Sequence, residues 1–204
     1  MVGADKIGDE YVFVKGNGEN GWENILIVAD EDNTDVFLDD NPIPITNLAK
    51  AGDYYLIEGD AFSNAGSERT LYVSTSNNVF AWQGTGTGSE ANQGMFFVPP
   101  LSCQSQGEVN NIPQIDYIGS SLFSGFVTIV TNQTASVTFS DANNTNKSAD
   151  DSSFSGGVLI IGPESVQGSD YKAYILQNLS GNVSINSTDE LYCSYFNQNG
   201  AATS

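Results

Sequence analysis

The chain has 204 residues, with 25 Asp and Glu against 6 Lys and Arg and no His, for a formal charge of −19. That acidity opposes nucleic acid and anionic membranes as partners, and the missing His removes Ser-His-Asp, Cys-His and His-ligated metal chemistry. Hydrophobic residues make up 39%, with 11 Phe, 9 Tyr and 2 Trp; that suffices for a buried core, yet no apolar run nears the ~20 residues of a membrane helix.

The expected elements are strands throughout. Short runs rich in Val, Ile, Tyr, Phe and Thr alternate with Gly, Asn, Asp and Ser turns. In chain order they lie at 10–15, 24–29, 34–38, 53–58, 69–74, 79–83 and 94–98. A second series follows at 125–131, 135–139, 157–161, 171–177, 182–186 and 190–196. Alternation is clearest at Val12 and Val14 and at Val183 and Ile185. Stretches with helical spacing are too short and too rich in Gly and Asn to form helices. The glycine-rich and polar loops at 84–92 and 140–155 are expected to be mobile.

The second series repeats the first. The run 25–29 and the strand from Thr34 match 127–131 and the strand from Ala135. Asp53 and Tyr54 match Asp170 and Tyr171, and 73–80 matches 185–192, which sets Cys193 opposite Ala81. Matches in one order indicate a duplicated β unit. The expected fold is therefore all-β, with two tandem, internally duplicated β-sandwich-like units packed together. The first spans 1–98 and the second 119–204, joined by a connection over 99–118 where Pro99 and Pro100 force an extended path.

Few constellations carry chemistry. Asp30, Asp32 and Asp35 place hard oxygens at close spacing, which suits calcium. The EF-hand pattern is incomplete, with Asn41 where the bidentate Glu would stand, and a β-turn capping its own backbone is the competing reading. Asp141, Asp150 and Asp151 form a looser version of the same pattern. No cofactor is otherwise expected. Gly84, Gly86 and Gly88 precede neither Lys nor a helix, so they make no phosphate loop. Trp22, in a glycine-rich loop, and Trp82, near a strand end, are candidate sugar platforms, against packing as the alternative. Cys103 and Cys193 could pair or stay separate buried thiols. Six Asn-x-Ser/Thr sequons accompany general Asn and Ser richness. Met1 to Asp5 do not open a signal peptide, so a fragment whose leader was removed is expected.

A group of longer strings narrows the reading. Residues 92–103 spell NQGMFFVPPLSC and lead to Asn111, Ile112 and Pro113, after EYVFVKG at 10–16 and AGDYY at 51–55. LSGNVS follows at 179–184. The chain resembles the IgGFc-binding-protein N-terminal-like region of large secreted Bacteroidetes proteins, many gliding-motility-associated or type IX-secreted. The resemblance implies an adhesin-like module at the bacterial cell surface, without catalytic residues, within a parent chain that continues past Ser204. The expected function is non-enzymatic adhesion or surface binding to an extracellular glycan or protein. A carbohydrate-binding module and a structural spacer are the alternatives. Neither nucleic-acid binding nor membrane insertion is expected, and the fragment should be a monomer.

Overall fold

A computed structural model describes residues 6–16, 18, 20–64, 69–85, 94–101, 106–199 and 202–203. The chain divides into two units, Met1–Ser102 with Val166–Ser169, and Cys103–Ser165 with Asp170–Ser204. Both are built of antiparallel strands, as the sequence pattern predicts.

The first unit contains β1 (Gly8–Val14), β2 (Asn24–Ala29), β3 (Thr34–Leu38), β4 (Thr46–Leu48) and β5 (Tyr54–Ile57). A one-turn helix α1 (Ala61–Asn64) leads to β6 (Thr70–Thr85) and β7 (Gly94–Phe97). The long strand β6 organises the unit. Its first half lies between β1 and β3, with Val73 opposite both Tyr11 and Leu38. Its second half lies between β2 and β7, with Trp82 opposite both Leu26 and Phe97. Between the halves, Glu10 faces Ser74 but Gly8 faces Val79, so two positions on β1 span five on β6. Such a bulge bends a strand and increases its twist. The runs expected at 69–74 and 79–83 are thus one bent strand. Leu71 and Val73 from one half and Val79 and Ala81 from the other share a core with Phe13, Ile25, Ile27 and Val36.

The second unit opens with β8 (Glu108–Ile112), which falls inside the proline-containing connection, and a small hairpin of β9 (Tyr117–Ile118) and β10 (Ser121–Leu122). Then come β11 (Ser124–Asn132), β12 (Val137–Ser140), β13 (Lys147–Ser148) and β14 (Leu159–Ser165). The unit ends with β15 (Tyr171–Leu179), β16 (Val183–Ser187), β17 (Leu191–Asn199) and β18 (Ala202–Thr203). One sheet runs β13-β12-β16-β8 and the other β14-β15-β11-β17-β18.

These orders reproduce the first unit. There, β4-β3-β6-β1 meets β5-β2-β6-β7 at the shared strand. In the second unit, β16 and β17 divide the role of β6. Ile27 opposes Ala81 as Ile129 opposes Cys193, and Val36 opposes Thr75 as Val137 opposes Ser187. The match through Asp53 and Asp170 finds the right strand but slips by two residues. Ile27 faces Tyr55, whereas Ile129 faces Tyr174, two past the aligned Lys172. An even slip leaves every side chain on its expected face.

The polar 140–155 loop, where mobility is expected, is held by side chains. Asp141 Oδ1 accepts hydrogen bonds from the Asn143 and Asn144 backbone N–H groups at 2.9 and 2.7 Å. Asn144, buried, donates to the Ser155 carbonyl and accepts from the Ser155 N–H. Tyr174 donates to Asp150 at 2.9 Å.

Candidate functional site

Trp82 lies on the outer face of the first unit. Its neighbours Ala81 and Gln83 point inward, and directly opposed residues share a sheet face. One row crosses four strands as Leu56, Leu26, Trp82 and Phe97. A second runs through Tyr54, Val28 and Phe80. Trp82 is half-buried between Phe80, stacked at 5.9 Å, and Phe97, edge-on at 5.9 Å. Tyr54 and Met95, at 68% and 59% exposed, flank the rows. Trp22 is half-buried in the turn before β2. No ring contact joins it to Trp82 among the described residues.

The 30–35 turn spends two of its carboxylates, those of Asp32 and Asp35, on its own surroundings. Asp32 accepts from the Ala51 N–H and from Lys50 Nζ, each at 2.9 Å. Those two bonds, the backbone one foremost, hold its carboxyl below the ordinary range. Asp35 accepts from Asn47 Nδ2 at 2.8 Å. Asn33 takes a left-handed φ of 58°, as Asn in turns readily does. Asp30 is exposed at the end of β2. Among the described residues, no three His, Cys, Asp or Glu come together as a metal-holding group.

Cys193 carries a free thiol packed against the second core, opposite Ile129. Burial pushes that thiol up to about 12. Cys103 lies outside the described residues, as do 86–93 of the glycine-rich loop. The thiolate is the reactive form. Iodoacetamide at pH 8 should therefore label Cys193 at least about tenfold more slowly in the folded chain than in urea. Mass spectrometry of the alkylated peptide checks this, and equal rates would mean that the thiol is not protected.

A cleft of about 210 Å³ opens at one end of the second unit. Side chains two apart on a strand share a face, so Tyr195 and Asn197 lie on the same face of β17 as the core-packed Cys193. There they meet the turn after β8, which supplies Gln114, Ile115 and Tyr117 to the cleft. That turn is well tied. Gln114 N–H donates to Asn182 Oδ1 at 3.0 Å, Ile115 N–H to the Gly181 carbonyl at 2.9 Å, and Gly181 N–H to Asp116 Oδ1 at 2.8 Å. Gly125, opposite Asn197, makes room for Ile115, since a Cβ there would lie 2.9 Å from an Ile115 methyl carbon. Tyr117 and Tyr195 are 48% and 60% exposed, and Asn197 is 6% exposed.

The family profile described as IgGFc binding protein matches residues 1–195. The chain belongs to the IgGFc-binding family. No curated protein matches it. Among solved structures it is similar to the apo form of a Pleurotus ostreatus lectin, at 11% identity and a TM-score of 0.26, covering 97% of this chain and 76% of that one. In this chain of the IgGFc-binding family, sequence reasoning missed the cleft. Tyr195 reads as strand packing by its period, yet it stands at the open end of the core. Nothing in the local sequence marks Asn197 among its many Asn neighbours.

Proposed function

We propose that the chain is a non-enzymatic binding module of a large secreted adhesin-like protein at the bacterial cell surface. Its parent would be of the kind found among gliding-motility-associated and type IX-secreted proteins of Bacteroidetes. The family assignment supports binding over catalysis. The observation that carries the reading is the aromatic row through Trp82, a run of large apolar side chains on the outer face of a sheet, flanked by exposed Tyr54 and Met95. Apolar surface of this kind marks contact sites for macromolecules or sugars. The partner is an extracellular protein or glycan. No helix among the described residues is long and apolar enough to cross a membrane.

A glycan array and immobilised immunoglobulin Fc, probed with the purified chain in calcium and in chelator, test the reading. Binding to one of the two surfaces is expected, and Trp82→Ala should weaken it at least tenfold. Because Asp32 already holds Lys50 and Ala51, binding should be equal with and without calcium. Strict calcium dependence would restore the 30–35 turn as a metal site. Silence on both surfaces would favour a structural spacer.

A further inference from the structure

The cleft in the second unit holds a polar group that the fold leaves unanswered. Asn197 Oδ1 is buried and has no hydrogen-bond partner among the described residues. Buried carbonyl oxygens are nearly always paired, because leaving one dry forfeits its hydration without return. Asn197 lines an open cleft, so a turn of its side chain toward that cleft brings the oxygen to an incoming donor. An acceptor calls for an O–H or N–H.

The rest of the lining narrows the ligand. Tyr117 and Tyr195 present half-exposed rings at the cleft, and Gln114 adds an amide able to donate and accept. Neither Lys nor Arg lines it, and the chain carries −19, so an anionic ligand is disfavoured. A purely apolar ligand would leave Asn197 unpaired. The volume, about 210 Å³, falls below the roughly 300–1,000 Å³ of pockets for drug-sized molecules and suits a single ring. A ring with an apolar face of C–H groups and a rim of hydroxyls meets all of these conditions.

We propose that this cleft binds one pyranose residue of a neutral glycan. A sugar hydroxyl donates to Asn197 Oδ1, and the tyrosine rings pack on the sugar's C–H face. The proposal rests on the reading of the chain as a binding module and gives that module a second, smaller site, independent of the Trp82 row.

Saturation-transfer NMR on the whole chain, with methyl glycosides of glucose, galactose, mannose, fucose and N-acetylglucosamine one at a time, tests it. At least one glycoside should receive transfer. Asn197→Leu and Tyr195→Ala should each weaken that ligand at least tenfold. Asn197→Leu removes the unpaired carbonyl and keeps the side chain's size, so its thermal midpoint should hold or rise, which separates lost binding from lost folding. No transfer to any of the five sugars overturns the site, as does transfer indifferent to Asn197→Leu. Transfer lost in Trp82→Ala but kept in Asn197→Leu also overturns the site and leaves the binding-module reading standing. So does binding to Fc or to the array without any glycoside signal.

Discussion

Replacing Gly59 with Ala is expected to unfold the first unit at temperatures the parent chain withstands. An added Cβ would stand 2.1 Å from the Glu23 carbonyl oxygen and 2.4 Å from that of Asn20. Both atoms are backbone, so no rotamer change relieves the clash. The turn that carries them cannot retreat easily. Glu23 is fully buried, and its carboxylate accepts from the Gly16 and Gly18 N–H groups at 3.0 and 2.8 Å. Lys15 donates to Asn20 Oδ1 at 2.6 Å from the same side. Moving the turn would disturb the start of β2, whose Ile25 and Ile27 are in the core. Overpacking of this severity costs about 3 kcal/mol, and for a unit of this size the midpoint should drop by about 10 °C or more. Circular dichroism during a thermal ramp reads it directly. Gly21→Ala is the control, because nothing lies within 4 Å of its added Cβ, and its midpoint should stay within about 2 °C. Equal midpoints for the two variants would refute the close approach at Gly59.

Alkali should destabilise both units above about pH 10. Three phenols are held above their ordinary range, in each case mainly by burial. Tyr11 donates to the Val79 carbonyl at 2.5 Å, Tyr72 to Glu10 at 2.5 Å, and Tyr174 to Asp150 at 2.9 Å. Each of these bonds needs the phenolic proton, and at Tyr72 and Tyr174 ionisation would also set a phenolate against a carboxylate. The sign follows from linkage. Below pH 10 a tyrosine is neutral whether folded or not, and stability is flat in this respect. Above it the unfolded chain releases protons that the folded chain retains, so stability falls as pH rises, by about 1.4 kcal/mol per pH unit for each such group. Urea midpoints measured from pH 8 to pH 11 should hold to about 10 and then decline. Tyr174→Phe should soften the decline in the second unit, since it deletes one of the titrating groups and leaves only the exposed Asp150 without its partner. Midpoints unchanged across the whole range would show that the phenols ionise freely in the folded chain.

Much of the framework was legible because burial imposes a period of two. Strands β2 and β3 begin and end where alternation and flanking Asp and Asn place them, and the repeated order of strings anticipated the shared strand order of the two units. The shortest elements were not legible. Strand β8 reads EVNNI, and its two core-packed residues, Val109 and Ile112, stand three apart across a register shift against β16, which breaks the period of two. Strands β4 and β13, three and two residues long, are too brief to show a period. The bend in β6 reads as a break in the sequence because residues 75–78 carry no apolar side chain. The site was harder still. Trp82 could be singled out by residue type, but its companions Leu26 and Phe97 are assembled by register. The Asn197 cleft depends on where β17 passes a turn some eighty residues earlier, and composition does not encode that meeting.

The undivided β6 has a mechanical consequence. In the first unit one continuous backbone is hydrogen-bonded to four neighbours, two on each side of its bend. Neither layer can shear past the other without tearing ladders in both. The second unit makes the same crossing through a turn between β16 and β17, so its layers are tied by a link that can straighten before any ladder breaks. Under tension the two copies of the repeated pattern would therefore behave as unlike springs, with the second yielding while the first still holds.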